Sequence, residues 1–200
     1  MSTATILAGG RGRRLGGVSK ALLSVGERRI IDRQLTTLRS VVDHVAIVAN
    51  DHMHYVDLGV PVWPDAFPGT GPLGGILTAL LNATTAQVLV VAGDMPFLNT
   101  RVLTHLLEAG RGVDVAIPRT GDGRHPLCAS WSSGCISPIR RHIDAGMLKV
   151  VEILPELNVH EVTSEELLAL DPENTALFNV NTPEDHARAR ALAERHDAHR

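Results

Sequence analysis

The run Gln87-Val-Leu-Val-Val-Ala92, closed by Gly93-Asp-Met-Pro96, decides how the rest of this chain is read. Its centre, Val88 to Val91, is apolar at every position, so neither face of a strand built from it can meet water. A strand of that kind belongs in the middle of a parallel sheet with helices on both sides. The run is too short for a buried helix, and Gly93 and Pro96 punctuate its end. Around it, strands alternate with helices. Thr3 to Ala8 predicts a first buried strand, Val45 to Ala49 a second and Val60 to Trp63 a third. Apolar residues at Ile30, Ile31, Leu35 and Leu38 predict an amphipathic helix over 30–41, and Gly71-Pro72 opens another through Leu81.

Beyond the central strand, Asn99 is an N-cap for a helix from Thr100 to Ala109, with Gly110 at its end. Val113 to Ile117 predicts a strand, and Gly121-Asp-Gly123 the turn of a hairpin returning through Leu127 to Trp131. A helix over 136–145, a strand over 158–162 and a helix over 164–170 follow. Thr182, Pro183 and Asp185 mark the start of a last helix running to about Arg195, as N-cap, first helical residue and capping-box partner. The expected fold is α/β, a three-layer Rossmann-like arrangement with a mostly parallel central sheet. With 200 residues, one domain over 1–200 is expected.

Composition narrows the function. Hydrophobic residues make up 44% and charged residues 20%, the balance of a globular protein. The formal net charge is -3, so no broad positive field attracts nucleic acid or an anionic membrane, and any bound anion must be held locally. The apolar N-terminal run stops at Gly9-Gly10 without a basic region before it, unlike a signal peptide, and no apolar stretch is long enough for a membrane span. The two cysteines, Cys128 and Cys135, are too few for a disulfide framework, which fits a reducing cytoplasm. The ten histidines form no His-Glu-x-x-His pattern, and a zinc site is not expected. Of 19 basic residues only Lys20 and Lys149 are lysine, and Arg11, Arg13, Arg14 and Lys20 share one glycine-rich loop.

That loop, Gly9-Gly-Arg-Gly-Arg-Arg-Leu-Gly-Gly-Val-Ser-Lys20, follows the first strand. Glycines let backbone N–H groups approach an anion, and the basic side chains add charge, so the loop suits a polyphosphate. It is neither a Walker A loop, since Ala21 follows Lys20, nor a Rossmann fingerprint, since Leu15 stands where the last glycine is needed. A solvated surface loop is the alternative. Asp94, at the carboxyl end of the central strand, suits a hard cation such as Mg2+, which takes one or two protein carboxylates; a strand-end turn is the other reading. Asp65, after Pro64, reads equally as a turn residue or a ligand contact. Lys20 reads as a phosphate-following point charge or a surface lysine.

Leu7-Ala-Gly-Gly-x-Gly-x-Arg-x-Gly-Gly with Lys20-Ala-Leu-Leu resembles the signature of the MobA-like nucleotidyltransferases, most closely the molybdenum cofactor guanylyltransferases. Gly71-Pro-Leu-Gly-Gly75, Gly93-Asp-Met-Pro96 and Phe178-Asn-Val-Asn-Thr-Pro-Glu-Asp185 extend the resemblance in order along the chain. It implies a nucleotidyltransferase fold that binds GTP and Mg2+ and transfers GMP to the terminal phosphate of molybdopterin-bound molybdenum cofactor, releasing pyrophosphate. By the same resemblance, Leu7, Ala8 and Gly9 contact nucleotide, Gly10 and Gly12 belong to the phosphate loop, Lys20 meets phosphate, Asp65 lies in the nucleotide site and Asp94 is the Mg2+ ligand. Lys20 and Asp94 are the implied catalytic residues. The Gly71–Gly75 segment implies a guanine-side wall, and Asn179 and Asn181 the acceptor side. Arg124-His-Pro126, Arg140, Arg141 and Lys149 are further candidates for an anionic acceptor. Cofactor-delivery proteins and molybdoenzymes are the implied partners. Two positions depart from the family pattern: Ser19 replaces an aspartate before the lysine, and Val48 replaces an asparagine, with Asn50 nearby. A related enzyme using CTP or a sugar phosphate, or a non-catalytic binder, are the alternatives.

Overall fold

The computed structural model describes residues 1–9 and 19–197. Strand β1 (Thr3–Leu7) is followed by a small hairpin of β2 (Ser24–Val25) and β3 (Arg28–Arg29), helix α1 (Ile30–Arg39), β4 (His44–Val48), β5 (Val62–Trp63) and α2 (Pro72–Asn82). Then come β6 (Gln87–Ala92), α3 (Thr100–Ala109), β7 (Val115–Thr120), β8 (Gly123–Arg124) and β9 (Cys128–Ser132). The chain ends through α4 (Ile136–Asp144), α5 (Val150–Ile153), β10 (Val159–Val162), α6 (Ser164–Leu170) and α7 (Pro183–Asp197). The main sheet runs β10-β7-β9-β6-β1-β4-β5, with β8 paired to the end of β7.

β6 is the middle strand of that order, as its apolar run requires. Its odd and even residues go to different layers. Leu89 and Val91 pack with Ile31, Leu35 and Leu38 of α1 and Val102, Leu103 and Leu106 of α3. Val88 and Val90 pack on the other face with Leu73, Ile76 and Leu77 of α2, Ile139 of α4 and Val150 of α5. Two apolar layers on one strand are the physical reason for an unbroken run of Val and Leu.

The sheet is mostly parallel, as expected, with one antiparallel insertion. β6 is parallel to β1, with Thr3 opposite Val88 and Leu7 opposite Ala92, but antiparallel to β9, with Gln87 opposite Ser132. β9 is that insertion. The hairpin explains this: β7 turns at Gly121-Asp122 into β8, and β9 comes back between β7 and β6. Strand ends also shift. Only Val62 and Trp63 pair in the third predicted strand, because Pro61 and Pro64 lack the N–H that a longer ladder needs.

The caps behave as read. Asn99 Oδ1 accepts from the Arg101 and Val102 amides at 2.9 and 3.4 Å. Thr182 and Asp185 bond reciprocally, with the Asp185 amide donating to Thr182 Oγ1 and the Thr182 amide to Asp185 Oδ2. The Asn181 amide, donating to the same Asp185 Oδ2 at 3.0 Å, together with the Thr182 hydroxyl and amide, holds the Asp185 carboxyl below its ordinary range. Gly110 differs from a left-handed terminator. Its φ is -71°, and it is glycine because a Cβ would lie 2.6 Å from Ser130 Oγ. Helix α7 fastens the C-terminal segment to the β2–β3 hairpin, burying Ala189 and Ala193 with Val25, Ile30, Phe97 and Val180.

Trp131 of β9 is fully buried and donates its indole N–H to Pro126 O at 3.1 Å. Trp131→Ala is expected to lower unfolding stability by about 3–5 kcal/mol through cavity formation, measured as a shift of the urea midpoint.

Candidate active site

β1 sends its chain through α1 to β4 on one side, while β6 lies on the other side of β1. The connection reverses there, and ligands of open α/β sheets bind at such a point, beyond the carboxyl ends of the strands. A cleft of about 530 Å³ opens at that place. Leu7, Ala8 and Gly9 line it from the end of β1, Gly93 and Asp94 from the end of β6, and Val48 and Asn50 from the end of β4. Gly71, Pro72 and Gly75 bring the N-terminus of α2 to its wall, adding that helix's positive dipole end.

The two central strand ends touch. The Gly93 amide donates to Leu7 O at 3.0 Å. A Cβ on residue 93 would stand 3.1 Å from that oxygen and 3.2 Å from Ala8 Cα, a crowding that glycine avoids and that would force the two strand ends to give. The turn delivers Asp94 to the cleft. Lys20 arrives from the other side, on the short 3-10 turn Lys20–Leu22. Its ammonium donates to Asp94 Oδ2 at 3.0 Å and to Asn181 Oδ1 at 2.5 Å. Both charged side chains are about four-fifths shielded, with 21% and 20% exposure, yet remain on the cleft surface.

Asp65 is on the opposite wall. Its Oδ1 accepts from the Phe67 amide at 2.9 Å and from Thr78 Oγ1 at 3.2 Å, while its own amide donates to Asn50 Oδ1 at 3.2 Å. It is therefore both a turn residue and a cleft residue, and the two sequence readings of it are not exclusive. Ser19, where an aspartate is usual in the resembling family, pairs its hydroxyl with that of Tyr55 at 2.7 Å. Tyr55 is buried, its phenol is pushed up by desolvation, and it fixes the chain entering Lys20.

Thus Leu7, Ala8, Gly9, Lys20, Asp65 and Asp94 share one cleft, and Asn181 joins it through Lys20. Asn179 does not line it: its Oδ1 is buried without a hydrogen-bond partner among the described residues. Gly10 and Gly12, with Arg11, Arg13 and Arg14, lie outside the described residues. Three of the other basic candidates carry ion pairs. Arg124 meets Glu161 at 2.5 Å, Lys149 meets Glu152 at 3.3 Å and Arg141 reaches Glu156 at 3.8 Å. Burial pushes both Cys128 and Cys135 thiols up to about 12, so they serve the core. Asn50, noted in the sequence beside Val48, bonds the Asp65 amide, whereas Thr78, Tyr55 and Gln34 escaped the sequence reading; each is an ordinary polar residue whose role exists only through a distant partner.

No cluster of three or more His, Cys, Asp or Glu able to hold a metal occurs among the described residues. Mg2+ does not require one when phosphate oxygens complete its shell. The oxygens of Asp94 and Asn181 already share one cation, the Lys20 ammonium, so hard donors converge on positive charge here. The residues present fit a nucleotide-borne divalent ion.

A three-layer α/β fold with a lysine and a carboxylate facing each other at the switch-point cleft defines the class of nucleotide-handling transferases. The chain belongs to the family of the MobA-like NTP transferase domain, whose model matches residues 4–161. It is 43% identical over 193 residues to a probable molybdenum cofactor guanylyltransferase of Pelotomaculum thermopropionicum, covering 96% of this chain and 94% of the relative. It is 34% identical to the molybdenum cofactor guanylyltransferase of Desulfosudis oleivorans, with 94% of each chain covered. The crystal structure of molybdopterin-guanine dinucleotide biosynthesis protein A from Archaeoglobus fulgidus matches with a TM-score of 0.84 at 30% identity, over 96% of this chain and 99% of that one. The fold is also that of 2-C-methyl-D-erythritol 4-phosphate cytidylyltransferase from Thermus thermophilus, with a TM-score of 0.73 at 16% identity, covering 97% of this chain and all of that one.

Gly93→Ala is expected to push β1 and β6 apart, costing about 1–3 kcal/mol as overpacking does. A lower melting temperature together with impaired nucleotide binding checks it.

Proposed function

We propose that this chain, acting as one unit over residues 1–200, transfers GMP from GTP to the terminal phosphate of molybdopterin-bound molybdenum cofactor and releases pyrophosphate. The Lys20–Asp94 pair at the switch-point cleft carries the reading, and the guanylyltransferase names of its relatives support the substrates. An acceptor phosphate oxygen attacks the α-phosphorus of GTP, the bond from that phosphorus to the bridging oxygen breaks, and pyrophosphate leaves with the electron pair.

The reaction needs charge placed in advance where it builds on phosphate oxygens. Lys20 supplies it on a stem long enough to move from Asp94 and Asn181 onto phosphate. Asp94 would hold Mg2+, which neutralises phosphate oxygens when bound. The α2 N-terminus presents backbone amides and a positive dipole end to the same cleft. Asp65 has one oxygen committed to Phe67 and Thr78, and its other oxygen, which accepts no hydrogen bond among the described residues, would accept from the base. Lys20's release uncovers Asn181, whose exposed carboxamide then meets the acceptor, and Asn179 stands on the same acceptor-side segment. The chain works in the cytoplasm, alongside the proteins that deliver the cofactor and the molybdoenzymes that receive it. Free thiols support that setting, and no helix of the described residues is long and apolar enough to cross a membrane.

A second reading, CTP in place of GTP, is favoured by one observation: Val48 gives the cleft an apolar wall where the resembling family has a carboxamide.

Asp94→Ala should abolish metal-dependent pyrophosphate release from GTP and the molybdopterin acceptor while the circular dichroism spectrum stays unchanged. Lys20→Ala should slow release by about 10²-fold or more, the scale for loss of a charge-stabilising group. Wild-type turnover in Asp94→Ala contradicts the metal role, and the absence of release in the native chain leaves a binder rather than an enzyme.

A further inference from the structure

Gln34 is a polar side chain in the middle of an apolar helix face. On α1 it stands among Ile30, Ile31, Leu35 and Leu38, and it is fully buried. Its Nε2 donates to Ala92 O at 2.7 Å and to Met95 O at 3.0 Å. Both acceptors are carbonyls, which cannot donate, so the amide nitrogen must face them. The two hydrogens of one NH2 group are thereby spent on the two ends of a four-residue turn, and Asp94 lies inside it. Gln34 Oε1, in turn, is buried with no hydrogen-bond partner among the described residues.

Packing does not explain this residue, because a buried unpaired acceptor is costly and a methionine of similar volume would avoid it. The amide is worth that cost for what its nitrogen holds. Backbone bonds also hold the turn, with the Ala92 amide donating to Leu127 O, the Gly93 amide to Leu7 O and the Val180 amide to Asp94 O, while Lys20 bonds the Asp94 side chain. The backbone bonds tie the turn to Leu127, to β1 and to the C-terminal segment. Gln34 spans the turn itself and so sets the backbone angles on either side of Asp94.

We infer that Gln34 is a positioning residue that aims the Asp94 carboxylate for the metal-bound nucleotide. The inference rests on the proposed metal role of Asp94. A side chain that must meet both an ammonium and a divalent ion is sensitive to small displacements, and a shift of about 1 Å can cost on the order of 10²-fold in rate. Loss of the Gln34 clamp therefore acts on the metal first and on nucleotide affinity much less.

Binding of Mn2+ in the presence of GTP, followed by electron paramagnetic resonance, tests this without turnover. Gln34→Met is expected to bind Mn2+ about tenfold more weakly and to need correspondingly more Mg2+ for half-maximal pyrophosphate release, with the KM for GTP at saturating metal unchanged. Leu35→Ala, on the same helix and equally buried in its core, is the control: it should lower the melting temperature and leave Mn2+ binding as in the native chain. Native Mn2+ binding in Gln34→Met, or an equal loss in Leu35→Ala, overturns the inference. If Gln34→Met does not fold, Gln34→Leu also removes both donors without adding charge and carries the same expectation. Asp94→Asn separates the two ideas. Unchanged Mn2+ binding there defeats the metal role and the clamp with it, whereas loss in Asp94→Asn beside native binding in Gln34→Met defeats the clamp alone.

Discussion

The contact between the ends of β1 and β6 is the constraint on which the rest depends. Leu7 O accepts the Gly93 amide, and a Cβ there would press on the β1 backbone at 3.1–3.2 Å. The contact requires β1 and β6 to be neighbours, parallel and in the register that puts Leu7 opposite Ala92. That register in turn puts the loop leaving β1 and the carboxylate leaving β6 on the same side of the sheet. A shift of one residue would send Asp94 to the other face and separate it from Lys20.

The electrostatics of the cleft follow from that geometry. A chain of net charge -3 holds polyanions only where positive groups are gathered. In the described residues, the gathering is Lys20 and the N-terminus of α2, with Asp94 paired to Lys20 and Asp65 on the opposite wall. The Lys20–Asp94 pair keeps both charges satisfied in the free chain. A ligand that brings its own anion and cation can exchange partners with both at once, so neither charge needs to be left stranded in a partly shielded site.

Much of this was legible from residue order. The apolar run over 87–92 placed the central strand, because two covered faces demand it. Asn99, Thr182 and Asp185 marked helix starts through chemistry that is local in sequence. Glycine-rich and strand-end residues pointed to the cleft. The antiparallel insertion of β9 was not legible, because a hairpin signal at Gly121 to Gly123 says that a strand returns, not which neighbour it joins. Nor was Gln34, whose meaning depends on carbonyls about sixty residues away. Gly110 looked like a conformational terminator and is instead a spatial necessity against Ser130. Asn179 and Asn181, two residues apart, separate in the fold, one turned inward and one bonded to Lys20.

The central claim, a metal-assisted guanine nucleotide site at the β1–β6 crevice, is tested most directly by calorimetric titration of the native chain with GTP, CTP and ATP, each with and without Mg2+. GTP is expected to bind most tightly, and its affinity to fall when Mg2+ is withdrawn. Tighter binding of CTP than of GTP, or GTP binding indifferent to Mg2+, would contradict the account.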